Sequence, residues 1–155
     1  MYSTKITYFF ILFYIFSNAQ SIPEKGVPFI KNYLPEEYGN HGKIWEISSA
    51  KNGLVYMASD NGLLEFDGKK WNRFRNYKGY TRSLFIANDS TIFIGADMDF
   101  GVWKKNEYRK FDYQSLYPFK TKIGGVNEEF WGTYAFKNQI IFISHQNIYR
   151  YFNKK

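Results

Sequence analysis

The stretch DNGLLEFDGKKW, residues 60–71, places two glycine-containing turns on either side of the four residues LLEF. Asn-Gly and Asp-Gly pairs supply the positive φ angles that tight hairpin turns require. The run LLEF is therefore a very short strand, and a new strand begins directly after the second turn, at Trp71. This pattern is typical of an antiparallel meander with tight connections.

The same pattern of short strands separated by tight turns repeats along the chain. Residues 45–75 divide into four strand-like runs, WEISS, LVYMA, LLEF and WNRFR, separated by three turns. Four strands joined by hairpin turns make one blade of a β-propeller. A second set of four runs, RSLFIA, TIFIG, GVWK and YRKFDY, lies within residues 82–113, with ADMDF (96–100) as the connection after TIFIG and the fourth strand beginning at Tyr108. A third set of three runs, FWGTYAF, IIFIS and IYRYF, occupies residues 130–152.

The spacing of the sets supports this interpretation. Their first turns fall at Asn52, Asp89 and Asn138, 37 and 49 residues apart, and propeller blades repeat every 40–50 residues or so. The loop at 114–128 explains the longer interval. The sequence thus predicts an all-β fold of antiparallel four-stranded blades, an incomplete β-propeller of about two and three-quarter blades. The predicted blades span about residues 44–76, 81–113 and 129–152.

The blade count predicts incompleteness. Propellers close with typically four to eight blades, and an open stack exposes unpaired strand edges and apolar faces. Either more chain belongs to the fold, or copies of the chain assemble, or the fold is marginal. Because a fourth strand is missing after Phe152, we expect a fragment of a longer propeller.

Residues 1–19 are predicted to be a secretory signal peptide. Lys5 precedes an apolar run at residues 6–16, and Ser17 and Ala19 provide the small residues that a signal peptidase needs. The run is shorter than the ~20 residues of a membrane span. We therefore expect export to the periplasm, with cleavage near Ala19–Gln20.

The remaining chain divides into two parts. Residues 20–43 carry three of the four prolines and are predicted to be an irregular lead-in with one short strand at 29–33. Residues 44–155 are the predicted partial propeller. The net charge of +7 is spread without long lysine runs, so we expect no nucleic-acid partner. Without cysteine, the chain has neither disulfides nor thiolate metal sites.

Residues 26–111, and more weakly residues 130–152, resemble the periplasmic sensor region of bacterial membrane regulators with two-component-regulator propeller repeats. The matching residues are Pro28, Asn32, Tyr33, Tyr38, Trp45, Gly53, Tyr56, Gly62, Leu63, Asp67, Gly68 and Trp71 in the first part, and Arg82, Ser83, Leu84, Ile94, Gly95, Phe100 and Gly101 in the second. In that family the propeller precedes a triple-tyrosine domain, a membrane helix and an output domain, such as a histidine kinase or a LuxR-type helix-turn-helix. The resemblance implies a sensor module for signal transduction without the parts that transmit the signal.

Three residues are the candidate ligand-binding site. Trp45, Arg82 and Trp131 each lie seven residues before the first turn of their set, which in a propeller places them near the central channel. There they would stack on a sugar ring or hold an anionic group. The alternative is that they pack between blades and line the channel.

Other polar residues are weaker candidates for a catalytic or metal-binding role. Asp97 and Asp99 would suit calcium or a glycosidase pair, but their place between two strands favours turn capping. Glu128 and Glu129 are expected to be solvated. His41 and His145 are the only histidines, too few for a metal set. We therefore predict no catalytic residues, no cofactor and no metal, and expect that the protein is not an enzyme.

Three functions compete on these observations. The first is an extracytoplasmic ligand-sensing propeller module of a membrane regulator, present as its N-terminal piece. The second is a free-standing exported module that binds a glycan or a protein and self-associates. The third is an enzyme, for which the sequence offers no acid–base residues beyond Asp97 and Asp99. The expected partners are a small molecule or glycan, and either the remaining blades or other copies of the chain.

Overall fold

A computed structural model of the protein describes residues 26, 28–39, 42–75, 79–118 and 128–152. The chain divides into two compact units, Met1–Asn32 and Tyr33–Lys155. The described residues of the first unit, 26 and 28–32, form neither helix nor strand. The predicted signal peptide and its cleavage site lie outside the described residues.

The second unit is built from antiparallel meanders. The first sheet contains β1 (Ile44–Ser49), β2 (Val55–Ser59), β3 (Gly62–Phe66) and β4 (Trp71–Phe74). The second sheet contains β5 (Thr81–Asn88), β6 (Thr91–Ala96), β7 (Asp99–Lys105) and β8 (Phe111–Ser115). The third sheet contains β9 (Phe130–Phe136), β10 (Gln139–Ser144) and β11 (Ile148–Phe152). The predicted all-β class and the predicted sets of four, four and three strands are confirmed.

The turns form where the sequence predicts them, and short polar side chains hold them. The Asp67 carboxylate accepts the backbone N–H groups of Lys69 and Lys70, at 2.8 and 2.6 Å. Gly68 has a φ of 94°, a conformation that residues with a Cβ rarely adopt. The quoted stretch at 60–71 therefore folds as a hairpin on each side of β3.

The first and second sheets pack face to face around one apolar cluster. Its buried members are Ala50, Tyr56, Ala58, Leu63, Leu84, Ile92, Ile94, Trp103 and Phe111. Phe74 packs against this cluster from β4, with its ring centroid 5.1 Å from that of Phe111. Full burial stabilises each large apolar side chain by roughly 1.5–3 kcal/mol.

The second and third sheets pack around a separate, mainly aromatic cluster. Its buried members are Phe93, Phe100, Val102, Phe130, Ile140 and Phe142. The rings of Phe100 and Phe142 stack with centroids 4.2 Å apart. Because successive side chains of a strand point to opposite faces, β6 serves both clusters, with Ile92 and Ile94 on one side and Phe93 on the other. The second sheet is therefore covered on both faces.

The lead-in differs from its prediction. The predicted strand at 29–33 is wrong, since residues 28–34 have no regular structure, and one helical turn, α1 (Pro35–Tyr38), follows instead. Glu37 starts this turn because its carboxylate accepts the Leu34 N–H at 2.6 Å, and Gly39 ends it with a φ of 63°. Within the described ranges, no helix has the length and apolar character that crossing a bilayer requires.

Two strand limits in the second sheet also differ from prediction. The stretch at 96–100 was expected to be a connection, but the turn contains only Asp97 and Met98, and β7 begins at Asp99. Met98 permits this tight turn because it adopts a φ of 55°. β8 begins at Phe111, later than expected, because the Asn106 carboxamide accepts two backbone N–H groups and holds the preceding residues in a turn.

The close approach of the second and third sheets yields a stability test at Gly95. A Cβ at this position would lie 2.5 Å from the carbonyl oxygen of Phe130 and 2.5 Å from the Ser83 hydroxyl. We expect Gly95→Ala to lower the free energy of unfolding by about 1–3 kcal/mol, because buried backbone must move. Urea unfolding followed by tryptophan fluorescence, at matched protein concentration, measures the change.

The matched control for Gly95 is Thr91→Ala, at the half-exposed start of the same strand. This control should change the unfolding free energy by less than about 0.5 kcal/mol. Equal stabilities of the Gly95→Ala variant and the native chain would contradict the close packing of the two sheets.

Candidate functional site

The first strands of the three sheets lie side by side. The Leu84 N–H of β5 donates to the Glu46 carboxylate of β1 at 2.8 Å. On the other side of β5, the Ser83 hydroxyl lies 3.0 Å from the Phe130 carbonyl oxygen and 2.7 Å from the Thr133 hydroxyl of β9. These polar contacts align β1, β5 and β9, so that equivalent residues of the three strands become neighbours.

The three predicted site residues meet at one end of these strands. Trp45, Arg82 and Trp131 are each the second residue of their strand. The guanidinium carbon of Arg82 lies 4.3 Å from the ring centroid of Trp45 and 4.8 Å from that of Trp131. The two tryptophan rings are edge to face, with centroids 5.4 Å apart. Counting residues back from the turns thus predicted a cluster that tertiary structure assembles; its ligand-binding role stays a prediction.

Arg82 is held by carboxylates as well as by rings. Its guanidinium donates to both oxygens of Asp97, at 2.8 and 3.2 Å, and lies 3.6 Å from Glu129. Burial alone would lower the pKa of Arg82, but the hydrogen bond and charge of Asp97, together with nearby Glu129 and Asp60, raise it. Arg82 therefore stays charged, and its charge is compensated within the protein.

Trp45 is fixed in place, whereas other rings of the cluster are more accessible. The indole N–H of Trp45 donates to Asp60 at 2.6 Å, and Asp60 also accepts the Lys43 N–H at 2.9 Å. Tyr80 also belongs to the cluster, because its ring centroid lies 5.3 Å from the guanidinium carbon of Arg82. Trp131 is 36% exposed and Tyr80 46% exposed. The accessible stacking surface of the cluster therefore belongs to Trp131 and Tyr80.

The charges of the cluster decide between the two predicted ligand classes. Two cationic side chains and three carboxylates surround the rings: Lys43, Arg82, Asp60, Asp97 and Glu129. This arrangement has no excess positive charge to attract an anion. Stacking of a neutral ring, such as a sugar, fits the cluster better than an anionic group.

A cleft of about 680 Å³ adjoins the same three first strands. Its walls include Glu46 and Ser48 of β1, Leu84 and Ile86 of β5, and Thr133 of β9. The walls combine apolar side chains with hydroxyl groups. A cleft of this size and mixed character suits a small-molecule ligand.

Glu46 is the residue of the cleft that sequence reasoning missed. Its burial raises its pKa, which the hydrogen bond from the Leu84 N–H only partly offsets. A perturbed carboxyl group in a cleft is a candidate for function. The sequence contained a signal in WEISS, where an acidic residue stands one position after Trp45 in an otherwise uncharged strand.

Glu128 has a different environment from the predicted one. It was expected to be solvated, but it is buried and accepts four hydrogen bonds. The donors are the Ser144 hydroxyl at 2.6 Å, the Asn147 amide at 2.9 Å, and the hydroxyls of Tyr117 at 2.9 Å and Tyr149 at 3.0 Å. Burial would raise the pKa of Glu128, but these hydrogen bonds outweigh it and lower the pKa. Glu128 holds the third sheet to the chain that precedes it.

The two aspartates of ADMDFG do not act together. Asp97 binds Arg82, whereas the buried Asp99 accepts the hydroxyls of Tyr113 at 2.9 Å and Ser115 at 2.6 Å. Both carboxylates therefore bind other strands, and not their own turn as predicted. Among the described residues, no group of three or more acidic or histidine side chains is arranged to hold a metal ion.

The two histidines are the remaining candidates from the sequence. His145 lies beside Trp131, with ring centroids 5.7 Å apart, and His41 lies outside the described residues.

No protein-family model, no curated protein and no solved structure matches this chain.

The lowered pKa of Glu128 yields a test by pH. A carboxylate whose pKa is lower in the folded state stabilises that state above its ordinary pKa of 4.5, and the stabilisation is lost as pH falls through the folded pKa. We expect Glu128→Gln to cost about 2 kcal/mol of unfolding free energy at pH 7. The difference from the native chain should shrink when unfolding is measured below about pH 4.

Glu107→Gln, at an exposed turn, is the control for charge alone. It should leave the unfolding free energy nearly unchanged at pH 7. A Glu128→Gln chain as stable as the native one at pH 7 would contradict a stabilising role for this carboxylate.

Proposed function

We propose that this chain is an extracytoplasmic ligand-sensing module whose three sheets are blades of an incomplete β-propeller. In this proposal it is the N-terminal piece of a membrane-bound signalling regulator, and residues 1–19 direct it to the periplasm. The resemblance of residues 26–111 to propeller sensors supports this role. The observation that carries the ligand-binding part is the cleft along the first strands of all three sheets.

The packing of the sheets supports the blade assignment. In a propeller, the first strand of every blade lies next to the axis, and adjacent blades pack face to face. Here β1, β5 and β9 are neighbours through Glu46, Ser83 and Thr133. The second sheet has the first sheet on one face and the third on the other.

The lining of the cleft indicates the class of ligand. Its charged residues are Glu46, Lys51 and Asp89, which together carry no positive excess. The carboxylate of Glu46 and the hydroxyl groups of Ser48 and Ser49 are suited to donors such as sugar hydroxyls. Trp131 and Tyr80 do not line the cleft but belong to the neighbouring cluster on the same first strands. We therefore assign to this site a neutral hydroxylated small molecule or glycan that occupies the cleft and extends to these two rings.

We assign binding, and no reaction, to the site. A glycosidase needs two carboxyl groups that face one substrate, but Asp97 is bound to Arg82 and Asp99 to Tyr113 and Ser115. Among the described residues that line the cleft, those of β5 and β9 include no carboxylate that could act together with Glu46. The other lining carboxylate, Asp89, lies in the turn that follows β5.

The second candidate is a free-standing exported module that binds a glycan or a protein and self-associates. The observation that favours it is the apolar surface on the outward faces of the first and third sheets. Ile47 of the first sheet and Ile148 of the third are 62% and 69% exposed. Both candidates share the same ligand cleft.

Ligand binding is tested by calorimetric titration of the mature chain, residues 20–155, with neutral disaccharides and their uronic-acid counterparts. We expect binding of a neutral sugar, and at least about tenfold weaker binding by Glu46→Gln and by Trp131→Ala. Each variant removes one kind of contact, the charged acceptor or the stacking ring. Tyr108→Ala, an exposed aromatic in the turn before β8, is the control and should bind as the native chain does.

Either of two results would contradict the proposed ligand class: a preference for the uronic acids, or undiminished sugar binding by both variants. Trp45→Ala should weaken binding, because the Trp45 ring packs against Arg82 and Trp131 and helps to position them. The chain should remain folded, because Trp45 is only half buried. Circular dichroism of this variant decides the matter, since unfolding would show that Trp45 serves packing alone.

A further inference from the structure

We propose that two copies of this chain associate head to tail, so that the third sheet of each copy packs on the first sheet of the other. The two copies would form a ring of six sheets. This pairing rests on the blade arrangement proposed above and develops the second candidate, self-association, because in the first candidate the remaining blades of the longer protein would cover the same faces. The proposal rests on the outward faces of the first and third sheets, which are largely apolar. These two faces correspond to the two sides of the sheet–sheet interface that forms between the first and second sheets and again between the second and third.

The outward face of the third sheet is apolar and uncovered. Its residues alternate with those that face the second sheet. Most of them are apolar, namely Tyr134, Phe136, Ile141, Ile143, Ile148 and Phe152, and two are polar, Gln139 and Arg150. Four of the apolar residues are at least half exposed: Tyr134, Phe136, Ile148 and Phe152. The Arg150 guanidinium packs over the Phe152 ring, 5.9 Å from its centroid. A largely apolar exposed face of this kind marks an interaction surface.

The strand register shows what such a face binds. Tyr134 pairs with Ile141 in the third sheet at the place where Phe85 pairs with Phe93 in the second. Phe93 is only 2% exposed, because the third sheet covers it. At this pair of positions, the outward face of the third sheet therefore repeats a face that, one sheet earlier, is covered by a sheet of the same kind. The next strand differs, because Arg150 pairs with Ile141 where the buried Val102 pairs with Phe93.

The first sheet presents the complementary side. Ile47 pairs with Met57 at the place where Leu84 pairs with Ile94 in the second sheet. Leu84 and Ile94 are buried against the first sheet, whereas Ile47 is exposed. The position of Ile47 is therefore one that a preceding sheet covers elsewhere in the chain.

The outer strands of the two faces also fit each other. Between the first and second sheets, Phe74 of the fourth strand β4 covers Trp103 and Phe111. The third sheet has no fourth strand within the described residues. On the first sheet, the surface that such a strand would cover is occupied instead by Tyr33 and Tyr38, which pack on the rings of Phe66 and Trp71. The three-stranded third sheet of one copy would therefore pack on the inner part of the first sheet of the other copy, because Tyr33 and Tyr38 cover the outer part of that face.

The three sheets of the described residues suit a ring of two copies. Two such sets make six sheets, within the four to eight blades of closed propellers, whereas three sets would make nine. Face-to-face pairing of two third sheets would leave Ile47 of both copies exposed. The head-to-tail ring covers both kinds of face and repeats the same interface around a two-fold axis.

Oligomeric state tests the proposal. Sedimentation of the mature chain, residues 20–155, should give a dimer at micromolar concentration. Ile148→Glu and Ile47→Glu should each weaken the dimer by about 100-fold or more, because each buries a charge. Both side chains are exposed in the single chain, so circular dichroism should remain native. Tyr108→Glu is the control for an added charge at an exposed aromatic, and it should remain a dimer.

A mixture of the two variants distinguishes the geometries. Ile47→Glu retains a native third sheet and Ile148→Glu a native first sheet, so the mixture should form a dimer with one intact interface while each variant alone is a monomer. A native chain that stays monomeric would overturn the proposal, as would an Ile47→Glu chain that dimerises normally. The cleft lies within one chain, so monomeric variants should still bind the sugar. Failure of assembly and failure of ligand binding are therefore separate results.

Discussion

The face-to-face packing on the second sheet is the constraint on which the rest of the structure depends. A sheet with apolar faces must bury them against another layer to form a stable core. Strand β6 supplies apolar side chains to both faces, with Ile94 toward the first sheet and Phe93 toward the third. Gly95 lets the backbone of β9 approach to a distance that no Cβ would permit. The three sheets therefore stabilise one another through the middle one.

This stacking also assembles the candidate site. When similar meanders pack face to face, their first strands become neighbours, and residues at the same position of each strand meet. Trp45, Arg82 and Trp131 come together for this reason, although they are far apart in sequence. The same alignment forms the cleft beside Glu46. Site and core are thus two results of one repeated interface.

The buried Glu128 and the half-buried Glu46 differ in how far hydrogen bonds compensate their carboxyl groups. Glu128 accepts four hydrogen bonds, and its pKa is lowered despite burial. Glu46 accepts one hydrogen bond from Leu84, and burial raises its pKa. The first arrangement stabilises the folded chain. The second leaves a carboxyl group under-compensated in a cleft, where a ligand donor would complete its hydrogen bonding.

The sequence by itself determined the strands, the turns and the order of the meanders. These features depend on neighbouring residues, such as the Asp67–Gly68 turn, and on alternation along single strands. It also placed Trp45, Arg82 and Trp131 at equivalent positions. Errors arose where one unusual residue overrode the pattern, as Met98 did with its left-handed turn and Asn106 with its two backbone hydrogen bonds.

Only the tertiary structure decided which polar groups are paired and which faces are covered. Burial of Glu128, the pairing of Arg82 with Asp97 and the position of Glu46 in a cleft depend on contacts between residues distant in sequence. Alternation in β10 and β11 shows that both faces carry apolar residues, but only the packing of whole sheets decides which face stays exposed. Local pattern sets the conformation of each strand, whereas burial and charge compensation are properties of the assembled sheets.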